Sequence, residues 1–182
     1  MIKLIALTGP AQCGKSSIGA MLYHMLSGYV LHAFATPIKL TVNAMFDWDA
    51  RHADGALKDS VDPEWGFSPR HAYQTFGTEW GRRLLRDDIW IKYMEYATRR
   101  DHGSIITDLR FENEASWVRQ RGGLVVHVVR EGDFGITSQH ESEQGIAPNA
   151  ADWKTLPCKY LYNLRTEARR IVHHINPGAE SK

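Results

Sequence analysis

Short apolar runs alternate along this chain with stretches whose apolar residues recur at helical spacing. Residues 3–7, 30–34, 104–107 and 124–129 are nearly continuous runs of apolar and β-branched residues, too short for helices. Such runs predict strands covered on both faces, and their alternation with helical segments predicts a parallel sheet layered between helices. A fifth run, 159–162 (Lys-Tyr-Leu-Tyr), is polar enough to be an edge strand or a loop. It precedes a helical pattern over 166–175, for which Thr166 is the candidate N-cap.

The segment between the second and third strands, 37–103, is too long for a simple crossover and should hold several helices. Thr36-Pro37 and Ser68-Pro69 each read as an N-cap followed by proline at the first helical position. Residues 47–67, rich in Asp, Gly and Pro, read as an exposed, mobile loop, and 131–152, with little periodicity, as a candidate lid. The organisation predicted is one domain, with a core of 1–36, 104–130 and 153–176, an insertion at 37–103 and a lid at 131–152.

Composition narrows the function classes. With 43% hydrophobic and 24% charged residues, the 182-residue chain can bury one sizeable core. A formal net charge of +1 gives no overall pull toward nucleic acid or an anionic membrane, so a polyanion must be held locally. Cys13 and Cys158 are too few for a disulfide framework, which points to a reducing cytoplasm. The first apolar run is far shorter than a membrane span and lacks a signal-peptide pattern, so neither membrane nor export is expected.

The chemistry begins after the first strand. Gly9-Pro-Ala11-Gln12-Cys13-Gly14-Lys15-Ser16 fits G-x-x-x-x-G-K-[ST] and sits between a strand and a helical run from Ser17. In such a loop the glycines let backbone N–H groups turn toward a phosphate, and the following helix adds the positive end of its dipole. Lys15 would then reach the β- and γ-phosphates and the Ser16 hydroxyl would ligate Mg²⁺.

A second cluster, Asp108-Leu-Arg110-Phe-Glu112-Asn-Glu114, follows the third strand at the edge where open α/β sheets place ligands. Asp108 can hold Mg²⁺ or anchor an arginine, and Arg110 can grip a phosphate with its planar fork. Glu114, four residues on, could pair with Arg110 on one helix face.

These segments occur in a recognisable order: the phosphate loop, Phe34-Ala-Thr-Pro-Ile-Lys39, Ser68-Pro-Arg70-x-x-x-Gln74-x-x-Gly77-Thr78-Glu79-Trp80-Gly81-Arg82, Asp87-Asp-Ile-Trp90, and Asp108-Leu-Arg110-Phe111-x-x-Glu114. The chain resembles deoxynucleoside monophosphate kinases of the bacteriophage type over nearly its whole length. The resemblance implies a three-layer P-loop kinase fold with a mostly parallel five-stranded sheet, a helical acceptor-binding insertion and a short lid. It also implies transfer of the γ-phosphoryl group of ATP to a deoxynucleoside monophosphate with Mg²⁺ as cofactor, and a homodimer is compatible with it.

Carried over by position, Gly9, Ala11 to Ser17 and above all Lys15 and Ser16 belong to the ATP site. Phe34, Lys39, Arg70, Gln74, Thr78, Trp90, Asp108, Arg110 and Glu114 surround the acceptor, and Lys15, Asp108, Arg110 and Arg130 attend the reacting phosphates. A monophosphate oxygen is already largely deprotonated near neutral pH and needs no base. What the reaction needs is cations that bring two anions together, and Arg70, Arg82, Arg110 and Arg130 come from separate segments. Trp80, Trp90 and Phe34 could offer faces to a base.

Some positions depart from the family pattern. Thr36 stands where relatives commonly have Asp, Arg130 is the only arginine between Gly122 and Leu164, with His140 as a possible supplement in the lid, and the adenine-contact region near residues 163–166 is divergent. Two other readings fit the phosphate loop: a kinase of another small phosphorylated or hydroxyl acceptor, with Asp108 as base where the acceptor is a hydroxyl, and an ATP-binding switch that phosphorylates no nucleotide.

Overall fold

A computed structural model of the chain describes residues 2–131, 140 and 145–177. The strands are β1 (Leu4–Thr8), β2 (Tyr29–His32), β3 (Gly103–Ile106), β4 (Leu124–His127) and β5 (Trp153–Lys154). The helices are α1 (Lys15–Met25), α2 (Thr36–Phe46), α3 (Ala50–Ala53), α4 (Pro69–Gln74), α5 (Ile89–Thr98), α6 (Glu112–Gln120) and α7 (Leu161–Ile175), with a π-helical stretch, Thr75–Leu85, continuing α4. The chain divides into two compact units, one of Met1–Ala33 with Glu95–Lys182 and the other of Phe34–Met94.

The first unit is a parallel sheet ordered β2-β3-β1-β4-β5. All five residues of β1 are buried, as a central strand covered on both faces requires. Ile5 aligns with Ile105 on one side and Leu124 on the other, so branched side chains form a continuous row. On that face Ile5, Leu7, Ile105, Val126 and Val128 pack with Ile18 and Leu22 of α1 and with Leu164, Ala168 and Ile171 of α7. Side chains alternate along a strand, so Ala6 and Val125 point to the opposite face, where α6 lies against β1 and β4. Ile171 is wholly buried, and truncating such a side chain to alanine costs about 2 to 5 kcal/mol.

Four strands fall within two residues of their predicted ends, and the fifth is corrected. It lies at Trp153–Lys154, pairing with Val126 and His127, and not at 159–162. The Asn163 side-chain oxygen accepts from the backbone N–H of Lys159 (3.3 Å) and Tyr160 (3.0 Å), which turns the tyrosine-rich run into the start of α7. Thr166 is therefore inside the helix and caps nothing at its start. Its hydroxyl donates to the carbonyl of Tyr162 at 3.1 Å.

The end of the expected lid is tied down by a buried charge cluster. Asp152, its side chain 2% exposed, accepts from Arg119 Nε (2.9 Å) and Nη2 (2.8 Å), meets His127 Nε2 at 2.9 Å and accepts from the backbone N–H of Asn149 at 2.9 Å. Burial alone would raise the Asp152 pKa. The Arg119 hydrogen bonds, with those of Asn149 and His127, outweigh it and hold the carboxyl at about 2. Residues 132–139 and 141–144, which include the rest of the lid and most of the motif at 140–143, lie outside the described residues.

In the second unit, α4 starts as predicted, with Ser68 Oγ accepting from His71 N at 3.3 Å. α2 also starts at Thr36-Pro37, but Ala35 holds the cap position and supplies no side-chain bond. Residues 47–67 are not the featureless loop expected. Phe46 packs its ring against Trp48 (4.9 Å), Trp65 (5.0 Å) and Phe67 (5.4 Å), and Trp48 Nε1 donates to Asp62 at 2.8 Å. Asp49 caps the short α3 within the same segment.

The π-helical stretch is built against Trp90, whose Nε1 donates to the Gly77 carbonyl at 2.7 Å. A Cβ at Gly81 would lie 2.6 Å from Trp90 Cζ2, so glycine alone permits this approach.

Candidate active site

The loop between β1 and α1 owes its shape to three residues in left-handed or glycine-type conformations: Gly9 (φ +141°), Gln12 (φ +58°) and Gly14 (φ +105°). Gly9 has a second constraint, because a Cβ there would sit 2.6 Å from the Val128 carbonyl oxygen and 2.9 Å from Cys13 Sγ. The strand ends on either side fix the loop's base. Leu109 N donates to the Leu7 carbonyl (3.1 Å) and Val128 N donates to the Thr8 carbonyl (2.8 Å). Cys13 turns its thiol into the apolar core, where it is 2% exposed.

Gly14 caps α1 with no side-chain hydrogen bond, and no acidic residue stands in the first turn. The positive end of the helix dipole therefore meets no carboxylate of its own turn, which favours an anion at the loop. Lys15 Nζ folds back over the loop and donates to the carbonyls of Gly9 (2.8 Å) and Pro10 (2.6 Å). Arg130, which follows β4, donates through Nη1 to the carbonyl of Gln12. The structure thus brings Lys15 and Arg130 to one loop. Ala11 and Ser16 are exposed there and Ser17 is half-buried.

Asp108 and Arg110 occupy the turn between β3 and α6, beside β1. Gly19 of α1 lies against Thr107, with a would-be Cβ 2.6 Å from Thr107 Cγ2, so Asp108 follows a residue packed one turn beyond Ser16. A serine hydroxyl and a carboxylate are hard oxygen donors, and Mg²⁺ commonly takes one or two such groups and completes its shell with phosphate and water. Among the described residues no group of three or more His, Cys, Asp or Glu could hold a metal, so an ion here would depend on phosphate oxygens.

Glu114 has a structural role that its spacing did not suggest. It is 2% exposed, and Oε2 accepts from the backbone N–H of Arg110 (2.8 Å) and Phe111 (3.1 Å). It shapes the turn that carries Arg110, as the reciprocal half of a capping box at the start of α6.

The remaining predicted residues lie in the second unit. Lys39 Nζ contacts Asp54, and Arg70 forks onto Asp59 through Nε and Nη2. The Gln74 amide nitrogen is buried with no hydrogen-bond partner among the described residues, an unmet donor of the kind that a ligand's acceptor would satisfy. Trp90 is 7% exposed with its Nε1 bonded to the Gly77 carbonyl, whereas Trp80 (41% exposed), stacked on Phe76 at 4.4 Å, offers an open ring in that cluster. Phe34 and Thr78 are also buried, at 4% and 3%. Arg82, at 6%, donates through Nη1 to the Asp87 carbonyl at 2.8 Å and braces the end of the π-helical stretch.

Among the described residues no helix is long and apolar enough to cross a membrane. A family model described as deoxynucleotide monophosphate kinase matches residues 55–156. A deoxynucleoside-5'-monophosphate kinase of Escherichia phage T5 is 40% identical over 102 residues, covering 52% of this chain and 37% of that protein. This chain therefore matches little more than a third of that relative's length. A protein of Acanthamoeba polyphaga mimivirus, provisionally named a deoxynucleotide monophosphate kinase, is 28% identical over 162 residues, 77% of this chain and 80% of that one. The fold is similar to that of shikimate kinase from Acinetobacter baumannii, with a TM-score of 0.50 at 13% identity over 100% of this chain and 97% of the other.

Proposed function

Because the chain belongs to the deoxynucleotide monophosphate kinase family, we propose that it transfers the γ-phosphoryl group of ATP to a deoxynucleoside monophosphate, acting in the cytoplasm, of the host where the source is viral. The observation that carries this reading is the meeting of Lys15 and Arg130 at the Gly9 to Gly14 loop. A loop that only joined a strand to a helix would have no use for a guanidinium from just past the end of the neighbouring strand β4.

The loop's backbone N–H groups and Lys15 hold the β- and γ-phosphates of the donor. To do so, Lys15 exchanges the Gly9 and Pro10 carbonyls for phosphate oxygens, a swap of neutral acceptors for charged ones that form stronger hydrogen bonds. Ser16 and Asp108 would hold Mg²⁺. Bound there, it would supply positive charge to offset that of the donor phosphates.

The acceptor's phosphate oxygen attacks without help from a base, since it is already largely ionised near neutral pH. Arg110, set by the Glu114 cap, and Arg130 offset the charge of two converging anions and keep them in line. Lys39 and Arg70 hold the acceptor's phosphate, and the Gln74 amide donates to an acceptor atom of the nucleotide.

A coupled assay with ATP, Mg²⁺ and each of the four deoxynucleoside monophosphates and their ribose counterparts tests the reading. Diphosphate formation from at least one deoxynucleotide is expected. ATP binding with no nucleotide phosphorylated would reject it in favour of a switch protein, and a sugar or other hydroxyl acceptor would reassign Asp108 as a base.

A further inference from the structure

Both cations assigned to the acceptor's phosphate are paired with acids of a single short turn. Lys39 Nζ meets Asp54 Oδ1, and Arg70 meets Asp59 with Nε on Oδ1 and Nη2 on Oδ2 at 3.3 Å. We propose that Asp54 and Asp59 are displaceable counter-anions, which hold Lys39 and Arg70 in place until a phosphate dianion takes over. They thereby set selectivity for acceptors that carry such a group. The inference rests on the kinase reading above and extends it to how the acceptor is chosen.

Exposure separates the two sides of each pair. The Lys39 and Arg70 side chains are 25% and 28% exposed, whereas those of Asp54 and Asp59 are 70% and 66% exposed. The cations are held by the fold and the acids stand in water. An exchange of partner therefore leaves each carboxylate solvated at little cost, while the cation keeps its position. Ion pairs with so exposed a partner are weak, each worth about two- to fivefold in an equilibrium constant.

The turn is built to present these acids. Leu57 N donates to the Arg51 carbonyl (3.1 Å), Lys58 N to Gly55 (3.3 Å) and Ser60 N to Leu57 (3.1 Å), and Arg70 N donates to the Lys58 carbonyl at 2.9 Å. The last bond places Asp59 opposite the guanidinium it pairs with. Arg70 already grips a planar carboxylate through two donors, the geometry that also fits two oxygens of a phosphate. The Arg70 hydrogen bond keeps the Asp59 carboxyl below its ordinary pKa, so it stays an anion near neutral pH. A neutral nucleoside brings no charge to compete with two carboxylates, whereas a phosphate with about 1.5 to 2 negative charges does.

The test is steady-state kinetics of the Asp54→Asn/Asp59→Asn double variant with ATP and a deoxynucleoside monophosphate. Glu64→Gln, an exposed acid of the same segment, serves as control for net charge. The expected result is an acceptor KM lowered about three- to tenfold, with kcat and the KM for ATP within about twofold and competitive inhibition by inorganic phosphate tightened in parallel. An acceptor KM that matches the Glu64→Gln control, or that rises, overturns the inference. Lys39→Ala and Arg70→Ala separate the two levels: if neither raises the acceptor KM, the assignment of these cations has failed. If both raise it while the double variant changes nothing, only the role of the acids has failed. Circular dichroism melts of all variants confirm folding.

Discussion

Arg130 donates to the backbone carbonyl of Gln12, 118 positions earlier in the chain. Gln12 itself is held at φ +58°, a conformation unusual for a residue with a side chain. The guanidinium thus braces the one non-glycine residue of the loop that carries backbone strain, and does so from the end of a strand directly beside it.

Arg130→Ala should therefore lower kcat about 10- to 100-fold, the scale for losing one charge-stabilising group, and raise the KM for ATP. Its melting temperature should stay within a few degrees of the parent, since Arg130 is exposed. A large drop in melting temperature with unchanged kcat would make it a structural clamp only.

Lys15→Ala should cut turnover by at least about a hundredfold and leave far-UV circular dichroism unchanged. Its bonds to the Gly9 and Pro10 carbonyls lie within its own loop. Retention of most of the parent rate would remove Lys15 from the mechanism.

Asp152 ties stability to acid. Its folded pKa, about 2, is below the ordinary 3.8, so its contribution is complete above pH 3.8 and is lost as pH falls through 2. The size is about 2 kcal/mol from the shift alone. Urea unfolding between pH 2 and 6 should show this loss in the parent. Asp152→Asn, which leaves Arg119 without its buried carboxylate, should cost about 3 to 5 kcal/mol at pH 7, with the gap to the parent closing toward pH 2. A pH-independent gap would show that the charge is not the cause.

Gly81→Ala tests the contact with Trp90. The added methyl would stand 2.6 Å from Cζ2 and 3.2 Å from the Phe76 carbonyl oxygen, so the indole must shift or the π-helical stretch must rewind. Overpacking of this kind costs about 1 to 3 kcal/mol, measurable by urea titration followed through tryptophan fluorescence. No change in either would mean that the packing is looser than described.

What could be read from the chain beforehand follows the reach of the interactions. The Gly9 to Ser16 loop and its flanking strand and helix are legible because the glycines, Lys15 and the helix start lie within a few positions, although Val128 and Arg130 reach the loop from far along the chain. The two-residue β5 was missed because it exists only through pairing with Val126 and His127, and nothing in Trp153-Lys154 itself signals a strand. The tyrosines at 160 and 162 suggested a strand by propensity, until Asn163 capped the backbone ahead of them. Glu114 falls on α6 as its spacing predicts, but its bonds to the backbone N–H groups of Arg110 and Phe111 were not legible, since spacing alone does not reveal backbone donors of the same turn. The Asp152 cluster was invisible because its partners His127 and Arg119 lie 25 and 33 residues away. The aromatic packing of Phe46, Trp48, Trp65 and Phe67 was hidden by the Asp, Gly and Pro between them, which read as loop although the rings bury one another.

Leu164 of α7 presses its methyls beneath Gly14, so close that a Cβ there would stand 2.9 Å from Cδ1. Occupancy of the nucleotide loop should consequently register far from the chemistry, as slower amide hydrogen exchange through the opening turns of the last helix. Conversely, any repacking that stiffens or loosens that helix becomes a dial on triphosphate affinity.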